Sequence, residues 1–152
     1  MPSSLQEGSA VRIQGQVRSY NKWMNGTNRL IITIFARELR LVDRTSASVN
    51  EVCLLGHLCK EPIYRITPFR REITDLLLAI NRAYHKSDYI PCIAWGHNAR
   101  FAGTLSVGDV IRLRGRLQSR EYEKQLPDGR VATRTAYEVS ISGLEKINPQ
   151  LS

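Results

Sequence analysis

Gly108-Asp109-Val110-Ile111-Arg112-Leu113-Arg114-Gly115-Arg116-Leu117-Gln118-Ser119 alternates from Ile111 to Gln118, with apolar side chains or glycine at odd positions and polar or basic ones at even positions. A period of two marks a strand with one buried face, so Arg112, Arg114 and Arg116 line the other face, Arg112 as an ordinary solvated side chain. The same pattern stands one hundred residues earlier, as Gly8-Ser9-Ala10-Val11-Arg12-Ile13-Gln14-Gly15-Gln16-Val17-Arg18-Ser19. Each copy runs into a turn signal and a second β-rich run: Asn25-Gly26 before Arg29 to Phe35, and Asp128-Gly129 before Arg130 to Ile141. Asn-Gly and Asp-Gly between such runs predict β-hairpins. Phe35 and Tyr137 are expected at matching places in the two hairpins, as core residues.

Only the second copy has a full set of elements before it. Residues 43–49 hold no long apolar side chain except Val49 and read as a linker, with a boundary near Asn50. Then Val52 to Leu58, Ile73 to Ile80 and Tyr89 to Trp95 read as strands, and Asn98 to Leu105 as a short helix. Asn98 is expected to cap this helix, with Phe101 and Leu105 facing the end of a barrel. Three strands, a helix and two strands is the order of the OB-fold, an all-β, five-stranded barrel with one short helix. The expected organisation is a partial OB-fold hairpin at 1–42, a linker at 43–49, a complete domain at 50–146 and a tail at 147–152. Half a barrel leaves strand edges and an apolar face uncovered. Residues 8–42 should therefore pair with another copy, with the complete domain or with further strands.

The third strand, Tyr89-Ile90-Pro91-Cys92-Ile93-Ala94-Trp95-Gly96, carries the first functional signal. Tyr89 and Trp95 are six apart and share one face, opposite Ile90, Cys92 and Ala94. Such a front suits either core packing or stacking on unpaired bases. Charge bears on the choice: 22 Lys and Arg oppose 14 Asp and Glu, giving +8. A basic balance of that size favours a polyanionic partner, nucleic acid first. Residues 1–49 carry seven basic and three acidic side chains, so the first part is the more densely basic. There is no apolar run of membrane-spanning length and no charged-then-apolar leader, which predicts a cytoplasmic protein without a membrane partner. Cys53, Cys59 and Cys92 are an odd number without framework spacing and are expected to be reduced.

From Asn50 on, several blocks resemble the bacterial single-stranded DNA-binding protein family. They are Asn50 to Pro62, Arg65-x-Thr67-Pro68, Leu78-Ala79-Ile80-Asn81-Arg82, Ile93-Ala94-Trp95-Gly96, and Gly108 to Arg120-x-Tyr122. Order and spacing are kept over about 50–145. More locally the chain is similar to two-domain members whose first OB domain is here truncated. The resemblance implies single-stranded DNA binding with little sequence preference, in support of DNA replication, recombination or repair, by a nucleoid-associated homo-oligomer with replication or repair proteins as further partners. It implies stacking places at Tyr84, Tyr89, Trp95 and Tyr122, where family members often have Trp in place of the three tyrosines. It assigns the basic groove to Arg65 and Arg120, with Arg116 and Lys124 nearby.

The residues taken alone leave alternatives. Tyr84 shares parity with Leu76, Leu78 and Ile80, so strict alternation predicts a core position. Trp95 fits core and stacking equally. Phe69, beside Arg70 and Arg71 after Pro68, reads as a nucleic-acid contact. Cys53, His57 and Cys59 have no fourth ligand nearby, and no metal or other cofactor is expected. His85 and His97 read as surface histidines. No phosphate loop, nucleophile elbow or acidic cluster is present, so no catalytic residue is assigned and an enzyme such as a nuclease is not expected. A primosome-type adaptor acting mainly through protein contacts is the alternative, because the acidic partner-recruiting tail of the family is missing. An RNA-binding OB module would use the same stacking platforms.

Overall fold

The computed structural model describes residues 5–148. The tail expected at 147–152 lies, beyond Asn148, outside the described residues, as do residues 1–4 of the expected partial domain. The chain divides after Val49 into two compact units.

In the first unit, β1 (Val11–Met24) and β2 (Thr27–Leu41) form an antiparallel ribbon. Both turn residues, Asn25 and Gly26, have positive φ, 50° and 75°. Asn and Gly tolerate this better than other residues, and such a turn matches the twist of the strands it joins. Alternation sorts the ribbon into an apolar face carrying Val11, Ile13, Val17, Ile32 and Ile34, and a polar face carrying Arg12, Gln16, Arg18, Tyr20 and Lys22. In the segment that follows, Asp43 accepts hydrogen bonds from the Thr45 N–H and hydroxyl, both at 3.0 Å. These bonds, the backbone one foremost, lower the Asp43 pKa.

The second unit contains β3 (Val52–Leu58), β4 (Ile63–Ile66), β5 (Glu72–Arg82), β6 (Lys86–Trp95), α1 (His97–Ala102), β7 (Val110–Gln125) and β8 (Val131–Ile147). The sheet order is β3-β7-β8-β6-β5-β4, and β3 also pairs with β5, so five strands close into a barrel with β4 appended to β5. This is the expected OB architecture. Leu58, Leu78, Ile90, Ile111, Leu113 and Val139 fill the interior and are fully buried. Asn50 fastens the start of the unit. Its amide donates to the Leu117 carbonyl at 2.8 Å and accepts from the Leu117 N–H at 3.0 Å.

Three local expectations are corrected. β4 has no counterpart in the sequence reading, since four residues after Pro62 are too few to show a period. Its strand character comes from pairing with β5. The helix spans only 97–102 and opens from Gly96 at φ 59°, and the Asn98 amide donates to the Ser142 carbonyl at 3.3 Å instead of capping it. Ala99 and Ala102 are the buried helix residues, whereas Phe101 is exposed; Leu105, just beyond, is buried as expected. Phe35 and Tyr137 are each about half exposed, not core.

The two ribbons explain that last correction. Each carries a register shift at the same place, between Gln14 and Gly15 and between Arg114 and Gly115. Gly15 pairs with Ala36 as Gly115 pairs with Ile141, so the ribbons correspond at an offset of 100 in the first strand and 105 in the second. A side chain at Gly15 would collide with the Phe35 carbonyl oxygen, and one at Gly115 with that of Ser140. By this register Phe35 matches Ser140, and Tyr137 matches Ile32. Phe35 lies on the polar face, with the Arg18 guanidinium 3.9 Å from its ring centre. Tyr137 sits where β7 and β8, from Ser119 to Tyr137, pair only with each other and project from the barrel as an arm.

Candidate nucleic-acid interface

Strand alternation puts Ile90, Cys92 and Ala94 into the barrel, all buried, and sets Tyr89, Pro91, Ile93 and Trp95 on the opposite side, where Ile93 and Ile73 of the neighbouring strand are themselves buried. Burial raises the pKa of the Cys92 thiol far above its usual range, with the Glu138 charge adding to the effect. The outward face continues across the sheet in register. Arg65 pairs with Ile73 and Ile73 with Trp95; in the next row Ile63, Asp75, Ile93, Ser140 and Arg116 stand side by side across β4, β5, β6, β8 and β7. Four sequence-assigned residues, Tyr89, Trp95, Arg65 and Arg116, therefore share one barrel face.

Trp95 is half-buried rather than core. Its indole N–H donates to the Ser140 hydroxyl at 3.1 Å, and the Arg71 guanidinium lies 5.6 Å from the ring centre. Arg71 closes the turn between β4 and β5: its carbonyl accepts from the Thr67 N–H at 2.8 Å, and its N–H donates to the Thr67 hydroxyl at 3.1 Å. The tip of that turn projects Phe69, 90% exposed. At the other end of β5, Tyr84 and His85 form the turn to β6 with φ of 63° and 60°, and Tyr84 is 91% exposed. The core position predicted from parity is thus corrected, because alternation ends at Arg82 and the left-handed backbone swings the ring outward. The turn is anchored below by Arg82, whose Nε donates to the buried Asp88 carboxylate at 2.7 Å. Tyr122 and Lys124 lie on the arm, on the strand face continuous with Arg116, Gln118 and Arg120.

Ion pairs neutralise part of this face. Arg65 reaches Asp75 at 3.2 Å with both groups partly exposed; the Arg100–Glu72 pair, also at 3.2 Å, lies on the other side of β5 beside the helix. Arg120 donates from Nε to Glu138 at 2.6 Å, and the Glu138 side chain is 5% exposed. That hydrogen bond raises the Arg120 pKa against the opposing effect of burial, with the charges of Glu138 and Asp75 contributing. Arg116 and Lys124 make no ion pair among the described residues.

Sequence reasoning missed Arg71, Arg134, Asp75 and Glu138. Arg134 stands opposite Tyr122, with its Nε buried and lacking a hydrogen-bond partner. Its parity with Ala132 and Ala136 was readable once the strand was assigned. Asp75 and Glu138 gave no signal, since an acid inside a basic pattern looks like ordinary surface. Among the described residues no group of three or more His, Cys, Asp or Glu is arranged to hold a metal ion, and Cys59 Sγ instead donates to the Leu77 carbonyl at 3.5 Å. No described helix is long and apolar enough to cross a membrane.

Barrel, appended turn and projecting arm define an OB-fold protein with an aromatic and basic outer face. The profile of the Single-strand binding protein family matches residues 49–147. The chain belongs to that family. Single-stranded DNA-binding protein A of Bacillus subtilis is 36% identical over 84 residues, covering 51% of this chain and 49% of the relative. The single-stranded DNA-binding protein of Clostridium tetani is 37% identical over 82 residues, 49% of this chain and 57% of the relative. This chain thus spans about half the length of the curated relatives it matches. Among solved structures, the wild-type single-stranded DNA binding protein from Thermus aquaticus superposes with a TM-score of 0.79 at 22% identity, covering 98% of this chain and 64% of that one. A deletion mutant of the same protein gives 0.81 at 21% identity, covering 99% and 66%.

Proposed function

We propose that the second unit binds single-stranded DNA on the outer face of its barrel, with little sequence preference. Bases stack on Tyr89 and Trp95 of the barrel, on Tyr84 and Phe69 of the two turns and on Tyr122 of the arm, while Arg65, Arg71, Arg116 and Lys124 attract phosphates; Arg120 borders the same path. The observation that carries this reading is the shared register that sets Arg65 and Arg116 on the same side as Trp95 and Tyr89, in a chain whose relatives are named for single-stranded DNA binding. Flat rings suit every base, and phosphate attraction is blind to sequence. Roles in replication, recombination and repair, and a nucleoid-associated cytoplasmic location, follow from the same reading.

Homo-oligomerisation belongs to the proposal as well. Val11, Ile13 and Ile34 are 37–47% exposed, whereas their counterparts Ile111, Leu113 and Val139 are almost wholly buried. A second copy covering the ribbon would remove that contrast.

Fluorescence titration with an unstructured oligonucleotide, repeated at rising salt, tests the proposal. Quenching with salt-sensitive affinity supports it. Absent quenching, together with capture of replication proteins by the same preparation, would support the adaptor reading instead.

A further inference from the structure

We infer that Arg120 and Glu138 act as one neutral unit beneath the bound strand, so that Arg120 positions the interface without contributing counterion release. The inference rests on the proposed single-stranded DNA binding.

Glu138 lies on the outward side of β8, two residues from Ser140, yet its side chain is almost wholly covered. Arg120 supplies a charge-assisted hydrogen bond to Oε1 at 2.6 Å, and the Gln118 amide approaches Oε2 at 3.5 Å. Drawing the guanidinium away to a phosphate would leave a covered carboxylate with only a long amide contact, beside an incoming negative charge. Stripping the partner from a covered charge is costlier than breaking an exposed pair. Arg65 contrasts with this, because its partner Asp75 is about one-third exposed and remains solvated when Arg65 turns to a phosphate. Arg120 still has donors on its two terminal nitrogens, 47% of its side chain being exposed, and a strand can touch them. Its charge, however, is already balanced by Glu138. The net cations beside it are Arg116, Arg134 and Lys124, which have no acidic partner among the described residues.

The slope of log affinity against log salt separates contact from counterion release, since each phosphate neutralised on a single strand contributes about 0.7 to it. The full chain is titrated with a poly-dT oligonucleotide over a salt series. Arg116→Gln is expected to flatten the slope by about 0.7. The pair Arg120→Gln with Glu138→Gln keeps a hydrogen-bonded couple in place of the ion pair and is expected to leave the slope unchanged. Glu138→Gln alone releases the Arg120 charge and is expected to steepen the slope by up to about 0.7. Flattening by the double substitution to the extent seen for Arg116→Gln would overturn the inference, with the binding proposal left standing. A wild-type chain with no salt-sensitive binding would overturn both.

Discussion

Trp95 is restrained on three sides, by its register opposite Ile73, by the Ser140 hydroxyl and by Arg71 over the ring. A ring held this way loses little freedom on stacking, and its truncation should cost about 1–3 kcal/mol of binding. Trp95→Ala in the full chain is expected to weaken oligonucleotide affinity while retaining a cooperative melt; unchanged affinity would return Trp95 to a packing role. Tyr84 offers a cleaner separation. Asn tolerates positive φ, so Tyr84→Asn is expected to change stability by less than about 0.5 kcal/mol in a thermal melt, and to lower affinity by about 1 kcal/mol or more in a titration. Parity misread Tyr84 because side-chain period says nothing about where a strand ends, and no Gly or Pro marks Ala83-Tyr84-His85 as a turn. The cysteines give a third test. Exposed Cys53 should react with a thiol reagent in the native state, whereas buried Cys92, its pKa raised by desolvation, should react only on unfolding. Native-state labelling of Cys92, read by mass, would contradict its place in the interior.

Among the elements, the long strands were legible because one buried face imposes a period of two over many residues. β4 and the ends of α1 were not, because a four-residue strand and a six-residue helix owe their existence to partners rather than to pattern. The register shift at Gly115 was legible only as a repeated glycine. Its reason is tertiary, a carbonyl oxygen of β8 where a Cβ would lie. Gly115→Ala is therefore expected to destabilise the second unit by about 1–3 kcal/mol, measured by denaturant unfolding. An unchanged midpoint would mean that β8 can yield at Ser140. The candidate interface is marked in the sequence by its aromatics and basic strand, through both pattern and resemblance. Its acidic partners were hidden, since Glu138 lies twenty residues from Gln118 and eighteen from Arg120, and only the hairpin register joins them.

For the whole molecule, charge and exposed apolar surface make separate demands. The excess of basic side chains predicts binding that falls as salt rises. The uncovered face of the ribbon predicts association. Sedimentation of the full chain is expected to give a mass above 17.3 kDa, and Ile34→Asp is expected to lower it. A monomer at all concentrations would oppose the oligomer. Composition points to a polyanionic partner, but which copy or segment covers the ribbon is a matter of contacts that no linear pattern records.

The matched ribbons differ in length only around their tips, where Met24 meets Thr27 across two residues and Gln125 meets Val131 across five. With the phase of each ladder pinned at its glycine, length has changed at the distal end without moving any residue on the barrel. The tip of the arm is thus the part of the molecule open to revision: a fluorophore or short peptide grafted between Pro127 and Gly129 would lengthen its reach and leave the rows of the interface in step.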